Sequence, residues 1–326
     1  MSVHGGIDVH AHAFSGEYVA LLDRLGAVSE VMHTTQGVFS GSHRDDLERR
    51  LAVMDLGNVE RQVLSMSAAT PYFENVASAQ EAARFINDEH AEMCRRSPDR
   101  FSFFCVLPMP HIDASLAEAE RAFTELGAVG VTFTTHVLGR ALSDPAFAAI
   151  FAELNRRGAV VFIHPVGTAC GSPIIRDSNL SWTIGAPIED AVCALQLMQA
   201  DFPRRYPQLK VILPHLGGFV AFLRYRLGRS TNSWMPGAEA PSAQMRKFWY
   251  DTSNGEPAAL RASVECYGID KLLLGTDYPY WLPGTGYEHS VDYFEHVGLS
   301  DADVAAIRRE NARQLFGHLL EREGFA

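Results

Sequence analysis

Two histidines near the start of the chain, His10 and His12, are separated by one residue and end an apolar stretch that begins at Ile7. In an extended strand, residues i and i+2 point to the same side, so both imidazoles would project together from the end of that strand. Neutral imidazole is a good ligand for divalent metals. The pair therefore indicates a metal site, although two histidines in an ordinary turn would have the same spacing.

Three further polar residues, His164, His215 and Asp277, each come at the end of a separate apolar segment of about the length of a β-strand. If these segments are parallel strands of one barrel, their carboxyl ends converge on a single mouth. Several imidazoles and a carboxylate buried there would be costly unless they were paired or bound a metal. Together with His10 and His12, they predict one metal centre assembled from distant parts of the chain.

Eight short apolar segments alternate with helical patterns, which is typical of parallel βαβ construction. We predict strands over Ile7–His10, Gln62–Met66, Phe101–Leu107, Gly130–Phe133, Val160–Ile163, Val211–Leu213, Phe248–Asp251 and Leu272–Gly275. A (β/α)8 barrel needs roughly 250 residues, so a chain of 326 residues fits one barrel with insertions. The predicted fold is α/β: a distorted (β/α)8 TIM barrel forming a single domain over residues 1–326.

Apolar residues at spacings of three and four predict helices from Ala79 to Met93, from Leu116 to Leu126 and from Phe147 to Leu154. Asp144 followed by Pro145 is typical of a helix N-cap and first turn, and Gly158 of a helix end. One or two closing helices are predicted between Asp301 and Leu320. Two long stretches follow strand ends, where barrel enzymes place active-site loops. They are residues 15–45, predicted as a small insertion or lid after strand one, and residues 165–187.

The composition excludes some classes of partner. The formal net charge is −11 and no Lys/Arg run stands out, which argues against nucleic-acid and membrane-surface binding. No segment approaches the roughly 20 apolar residues of a membrane span, and we identify no signal peptide. The five cysteines are scattered and form no CxxC pair. We therefore expect a cytoplasmic protein with reduced thiols that acts on a small molecule.

The order of these motifs along the chain resembles that of the amidohydrolase superfamily: HxH, a histidine after strand five, another after strand six, and an aspartate after strand eight. Four local segments resemble the branch that includes aminocarboxymuconate-semialdehyde, resorcylate and methylsalicylate decarboxylases. They are Leu107-Pro108-Met109, Thr135-His136-Val137, Phe162-Ile163-His164-Pro165 and Gly275-Thr276-Asp277-Tyr278-Pro279-Tyr280. The resemblance extends from Gly6 to about Leu320, nearly the whole chain.

The resemblance implies a set of metal ligands, which are His10, His12, His164 and Asp277. His215 matches a neighbouring histidine that activates a metal-bound water or positions the substrate. Binuclear relatives carry a carboxylated lysine at the end of strand four, where this chain reads Gly130-Val131-Thr132-Phe133. One divalent metal is therefore expected. Zinc is the first choice because it suits a histidine-rich site, manganese is the alternative, and no organic cofactor is needed.

Three residues are candidates for substrate binding. Arg226 resembles an arginine that, in the semialdehyde decarboxylase, reaches a substrate carboxylate in the neighbouring subunit, which implies at least a homodimer. Trp182 resembles a tryptophan in the wall of the pocket. Tyr278, beside Asp277, could stack on a flat substrate. Each residue also has a purely structural interpretation, as a solvated helix residue for Arg226 and as packing for Trp182 and Tyr278.

One position departs from the semialdehyde decarboxylase, which carries a second substrate-binding arginine in the loop after strand one. The comparable stretch here, Gly37-Val38-Phe39-Ser40-Gly41, offers Ser40, and Arg44 is nearby but out of register. The departure favours a monocarboxylate, such as an aromatic acid, over a dicarboxylate.

The resemblance implies a metal-dependent, non-oxidative decarboxylase of a small aromatic or conjugated acid. The metal would hold an oxygen of the substrate, and Asp277 or His215, or a metal-bound water, would protonate the carbon that bears the carboxylate. The alternative is a hydrolase of a lactone, ester or amide, in which the metal activates water and Asp277 or His215 is the base. A hydratase or a metal-binding scaffold without turnover are further alternatives. Decarboxylation and hydrolysis use the same residues, so the sequence leaves both open.

Overall fold

A barrel of eight parallel strands is the main feature of the computed structural model, which describes residues 5–27, 41–66, 69–280 and 286–320. The strands follow each other around the sheet in chain order. Strands β1 to β8 span Gly6–His12, Val59–Ser65, Phe101–Cys105, Gly130–Thr134, Val160–His164, Lys210–Leu213, Trp249–Asp251 and Leu272–Leu273. All eight predicted strands are confirmed, with small differences at their ends.

Backbone hydrogen bonds join the first strand to the segment that follows the last one. Val9 N donates to the carbonyl oxygen of Leu274 at 2.9 Å, and Asp277 N donates to that of His10 at 2.8 Å. The sheet therefore curves around until its two edges meet, as the predicted (β/α)8 barrel requires. The same pairing brings Asp277 next to the HxH motif, although the two are far apart in sequence.

Helices lie between successive strands and pack against the outer face of the barrel. In chain order, α1 to α15 span Gly16–Arg24, Arg44–Leu56, Val76–Arg96, Ile112–Thr124, Ala148–Arg156, Pro173–Asp177, Ala186–Gln199, Phe202–Arg205, Val220–Arg229, Thr231–Trp234, Pro241–Met245, Pro257–Tyr267, Gly286–Asp292, Asp301–Ala305 and Asn311–Phe316. A short hairpin, His136–Val137 with Arg140–Ala141, follows β4. Among the described residues, none of these helices combines the length and apolarity that crossing a bilayer requires.

The start of α5 follows the local sequence closely. Asp144 accepts a hydrogen bond from Ala146 N at 2.9 Å, which caps the short 3-10 turn Pro145–Phe147 that leads into the helix. Pro145 lies in the first turn, where its missing N–H breaks no hydrogen bond. Gly158 follows the end of the helix with φ of +61°, a conformation that glycine adopts without strain. The predicted cap and stop are thus confirmed.

An apolar cluster fills the inside of the barrel. It draws residues from nearly every strand, such as Val9, Phe104 and Phe162, and is completed by Leu315 and Phe316 of α15. The ring of Phe162 lies 4.9 Å from that of His10, measured between centroids. The packed interior therefore forms an apolar floor beneath the imidazoles. Polar side chains lie above it, at the carboxyl ends of the strands.

The stretch 15–45, predicted as an insertion or lid, is described only in part. Its first half forms α1, which buries Tyr18, Leu21 and Leu22 against the neighbouring helix α3. Residues 28–40 lie outside the described residues. Ser40, on which the prediction of a monocarboxylate substrate is based, is one of them.

Candidate active site

Five side chains meet at the mouth of the barrel: His10, His12, His164, His215 and Asp277. Nε2 of His12 lies 3.1 Å from Nε2 of His10 and 3.0 Å from Oδ1 of Asp277. The same Oδ1 lies 3.2 Å from Nε2 of His10 and 4.0 Å from Nε2 of His164. Oδ2 of Asp277 lies 3.6 Å from Nε2 of His215. The structure thus brings together every residue predicted to bind metal or to act in catalysis.

Buried carboxylates orient two of these imidazoles. Nδ1 of His10 donates to Asp251 Oδ2 at 3.0 Å, and Nδ1 of His215 donates to Asp190 Oδ2 at 2.8 Å. A neutral imidazole that donates from Nδ1 has its lone pair on Nε2. In their neutral form, both rings therefore direct a lone pair at the shared centre, an arrangement typical of metal-binding histidines.

The other two imidazoles are held by weaker partners. Nδ1 of His164 donates to the carbonyl oxygen of Pro165 at 2.9 Å, and Nδ1 of His12 lies 3.1 Å from Ser65 Oγ. Nε2 of His164 is buried and has no hydrogen-bond partner within the described part of the chain. Leaving a buried polar atom unsatisfied costs about 1–3 kcal/mol. A cation bound by this lone pair and its neighbours would remove that cost, so the residues present fit a metal.

Burial and the neighbouring acids set the charge of the cluster. Burial lowers the pKa of His12 to about 4 and that of His164 well below its usual range, which keeps both rings neutral. Burial also disfavours a charged His10, but Asp251 and Asp277 outweigh it and raise the pKa of His10 to about 9. Metal binding must therefore displace a proton from the cluster, since only the neutral imidazole is a ligand.

Asp8, which was not among the predicted site residues, connects the first strand of the barrel to the segment that follows the last strand. Its Oδ1 accepts from the backbone N–H groups of His10 and Thr276, each at 3.1 Å. Its Oδ2 accepts from Thr276 Oγ1 at 2.7 Å and from Gln62 Nε2 at 2.9 Å. Because Thr276 directly precedes Asp277, this carboxylate fixes the backbone at His10 in β1 and next to Asp277 after β8.

Two cluster residues have unusual backbone conformations. His215 has φ of +51° and Asp277 has φ of +60°, in the left-handed region that costs a residue with a Cβ atom about 1 kcal/mol or more. Gly218, with φ of +63°, follows His215, and a Cβ atom there would lie 2.2 Å from the carbonyl oxygen of Pro187. Glycine therefore lets the loop after β6 approach the start of α7, where Asp190 meets His215.

The aromatic candidates lie in different surroundings. Trp182 is 46% exposed and covers the loop after β5, where a Cβ atom on Gly167 would lie 2.5 Å from its ring. The Tyr278 ring is only 3% exposed and packs with its centre 4.4 Å from the Arg50 guanidinium. Tyr280 instead places its ring centre 5.7 Å from that of His12. The stacking role of Tyr278 therefore stays a prediction, and Tyr280, whose ring lies beside His12, is a second candidate for it.

Arg226 is not brought to the cluster of its own chain. It is exposed near the carboxyl end of α9, which follows β6 and runs back along the outside of the barrel. The end of such a helix faces away from its own mouth. Phe222 and Tyr225, on the same helix, are 88% and 77% exposed, which is unusual for large apolar side chains.

Comparison with known proteins gives consistent matches that cover 72% or more of this chain. The family described as Amidohydrolase matches residues 7–318. The chain is 31% identical over 242 residues to the 2-amino-3-carboxymuconate-6-semialdehyde decarboxylase of Dictyostelium discoideum, covering 72% of this chain and 67% of that one. It is 31% identical over 293 residues to the 6-methylsalicylic acid decarboxylase of Penicillium expansum, covering 84% of each. A dihydroxybenzoic acid decarboxylase from Polaromonas sp. JS666, solved with manganese and the inhibitor 2-nitroresorcinol, matches with a TM-score of 0.79, 25% identity and 98% coverage of each chain.

Proposed function

Because the chain belongs to the amidohydrolase family, we propose that it is a metal-dependent, non-oxidative decarboxylase of a small aromatic or conjugated carboxylic acid. The observation that carries the metal-dependent part of the proposal is the convergence of four imidazoles and Asp277 at the barrel mouth, which decarboxylation and hydrolysis would share. The relatives named as decarboxylases of such acids support it. The test is an assay of metal-loaded protein for CO2 release from hydroxylated aromatic acids, run beside a panel of lactones and esters.

The ligands of the metal are proposed to be His10, His12, His164 and Asp277. A bound divalent cation supplies positive charge to the carboxylate or an adjacent oxygen of the substrate and so orients it. Three imidazoles with one carboxylate suit zinc, whereas the manganese in the Polaromonas relative supports manganese.

We expect one equivalent of metal per chain. The end of β4 offers Thr132, Phe133 and Thr134, and no lysine that could bridge a second ion. Elemental analysis of protein purified without chelator measures the metal content. Removing the metal with a chelator and reloading the protein with zinc or with manganese shows which ion restores more activity. Two tightly bound equivalents would contradict the single-metal site.

The reaction requires a proton at the carbon that bears the carboxylate. As the new C–H bond forms, the C–C bond to the carboxylate breaks, its electron pair returns to the ring or conjugated system, and CO2 leaves. His215 is proposed to supply this proton, and Asp277, whose Oδ2 lies 3.6 Å from Nε2 of His215, is proposed to be its charged partner in the transfer. Burial alone would raise the pKa of Asp277, but His10 and the neighbouring imidazoles hold it well below its usual range. Burial alone would lower the pKa of His215, but Asp190 raises it well above its usual range, so the ring can hold a proton at neutral pH.

Arg226 is proposed to bind the substrate carboxylate in the neighbouring subunit of a homodimer. Its position at the far end of α9 supports this role, because an arginine there is better placed to enter another chain's mouth than its own. Phe222 lies one helical turn from Arg226, so the two share a face of the helix. The exposure of Phe222 and Tyr225 supports burial of this face against a second copy.

Mixing two inactive variants tests this arrangement. In a mixed dimer of Arg226→Ala and His215→Ala chains, both lesions fall in one site and the other site is intact. Random exchange should then restore about a quarter of the wild-type activity, because about half of the dimers are mixed and each has one good site. An absence of recovery despite proven subunit exchange would show that Arg226 does not act across the interface.

A further inference from the structure

Glu189, in the first turn of α7, is a buried carboxylate that the cluster itself does not contain. The side chain is 2% exposed. Its two oxygens accept hydrogen bonds of 2.7–3.5 Å from Thr135 Oγ1, Val166 N, Gly167 N, Thr168 Oγ1 and Cys170 N. All five donors belong to the segments that follow β4 and β5. The carboxylate therefore binds both the loop after β4 and the loop after β5, which begins directly after His164.

The shortest of these bonds connects Glu189 to His164 through one peptide unit. Val166 N donates to Glu189 Oε2 at 2.7 Å, and the carbonyl of Pro165, in the same peptide unit, accepts from His164 Nδ1 at 2.9 Å. The unit is trans, so its N–H and C=O point in opposite directions. A negative carboxylate on the N–H side polarises the unit and makes its oxygen a stronger acceptor.

Thr135 provides a second connection between the same two residues. Its backbone N–H donates to the carbonyl oxygen of His164 at 2.9 Å, and its Oγ1 donates to Glu189 Oε2 at 3.2 Å. Glu189 thus fixes two segments that contact His164. One is the loop after β5, through Val166, and the other is the end of the adjacent strand β4, through Thr135.

His164 differs from His10 and His215, whose Nδ1 atoms donate directly to Asp251 and Asp190. Within the described ranges, the partner of its own Nδ1 is the carbonyl oxygen of Pro165. A neutral acceptor of this kind holds an N–H less strongly than a carboxylate does. We propose that Glu189 is the positioning residue for His164: acting through the Pro165–Val166 peptide, it keeps the proton on Nδ1 and the Nε2 lone pair directed at the metal. This inference rests on the proposed metal site but not on the proposed reaction.

The test compares Glu189→Gln with Glu118→Gln. Glutamine keeps the shape of Glu189 but removes its charge. Glu118 is a suitable control because it is also buried, at 4% exposure, and accepts from Asn87 and Arg121 in the helical layer instead of contacting the site. Metal dissociation constants come from chelator competition, the His164 tautomer from 15N NMR of the metal-free protein, and stability from thermal unfolding.

We expect Glu189→Gln to weaken metal binding about ten-fold or more and to reduce the population of the Nδ1–H tautomer of His164. Glu118→Gln should lower thermal stability but leave the metal dissociation constant unchanged. The inference is overturned if Glu189→Gln binds metal as tightly as the wild type, or if Glu118→Gln weakens binding equally. Should Glu189→Gln fail to fold, Glu189→Asp replaces it. Weaker metal binding is again expected, and metal binding as tight as that of the wild type would again overturn the inference. A wild-type protein that binds no metal would instead refute the proposed site.

Discussion

Replacing Asp277 with Asn is expected to lower the rate of CO2 release by about 10³-fold or more, the upper part of the range for loss of an acid or base group. The change removes a negative charge on which four imidazoles converge and a partner of His215 in proton transfer. Metal content should fall as well, because the amide is a poorer ligand than the carboxylate.

The matched control for this variant is Asp144→Asn. Asp144 caps the 3-10 turn before α5, and Asn caps such turns as well as Asp does. The control should keep full metal content and activity. Steady-state rates and elemental analysis of both variants give the comparison, and near-normal turnover in Asp277→Asn would remove Asp277 from the mechanism.

Replacing His215 with Asn should separate proton transfer from metal binding. The metal should stay bound, since His10, His12, His164 and Asp277 are unchanged, but the turnover number should fall by about 10²–10⁴-fold. His111→Asn is the control, because the imidazole of His111 hydrogen-bonds the carbonyl oxygen of Phe73 and does not belong to the cluster. Loss of metal from His215→Asn would place His215 among the ligands, a role its Nε2 could also serve.

The sequence predicted the barrel and the convergence of the cluster because both depend on local pattern. Apolar segments of strand length can be read directly, and parallel strands of a barrel bring their carboxyl ends together whatever the loops between them do. His164 and Asp277, each at such an end, were therefore predictable without any knowledge of long-range contacts.

The residues that orient the imidazoles were harder to predict. Asp251 ends β7 as His164 ends β5, so the same strand-end reasoning could have identified it. Asp8 also had a signal, as an acid between the apolar residues Ile7 and Val9 of β1. Asp190 and Glu189 had none, because they lie in a helix and meet the site only where the glycine-rich loop after β6 and the loop after β5 approach that helix.

The sequence could not show which of the tyrosines beside Asp277 lies next to the cluster. β8 ends at Leu273, and the left-handed backbone at Asp277 then changes the direction of the chain. Which ring faces the cluster consequently depends on the turn, and the structure has Tyr280 there and Tyr278 in the core.

The position of deuterium in the product tests the central claim most directly. Hydroxylated aromatic and conjugated acids, including 2,6-dihydroxybenzoate and 6-methylsalicylate, would be incubated in D2O with metal-loaded protein, with the His164→Ala variant as the control. We predict release of CO2 and a product that carries one deuterium at the carbon that bore the carboxylate, with little of either from His164→Ala. Hydrolysis of lactones or esters, with no acid in the panel losing CO2, would contradict the decarboxylase assignment.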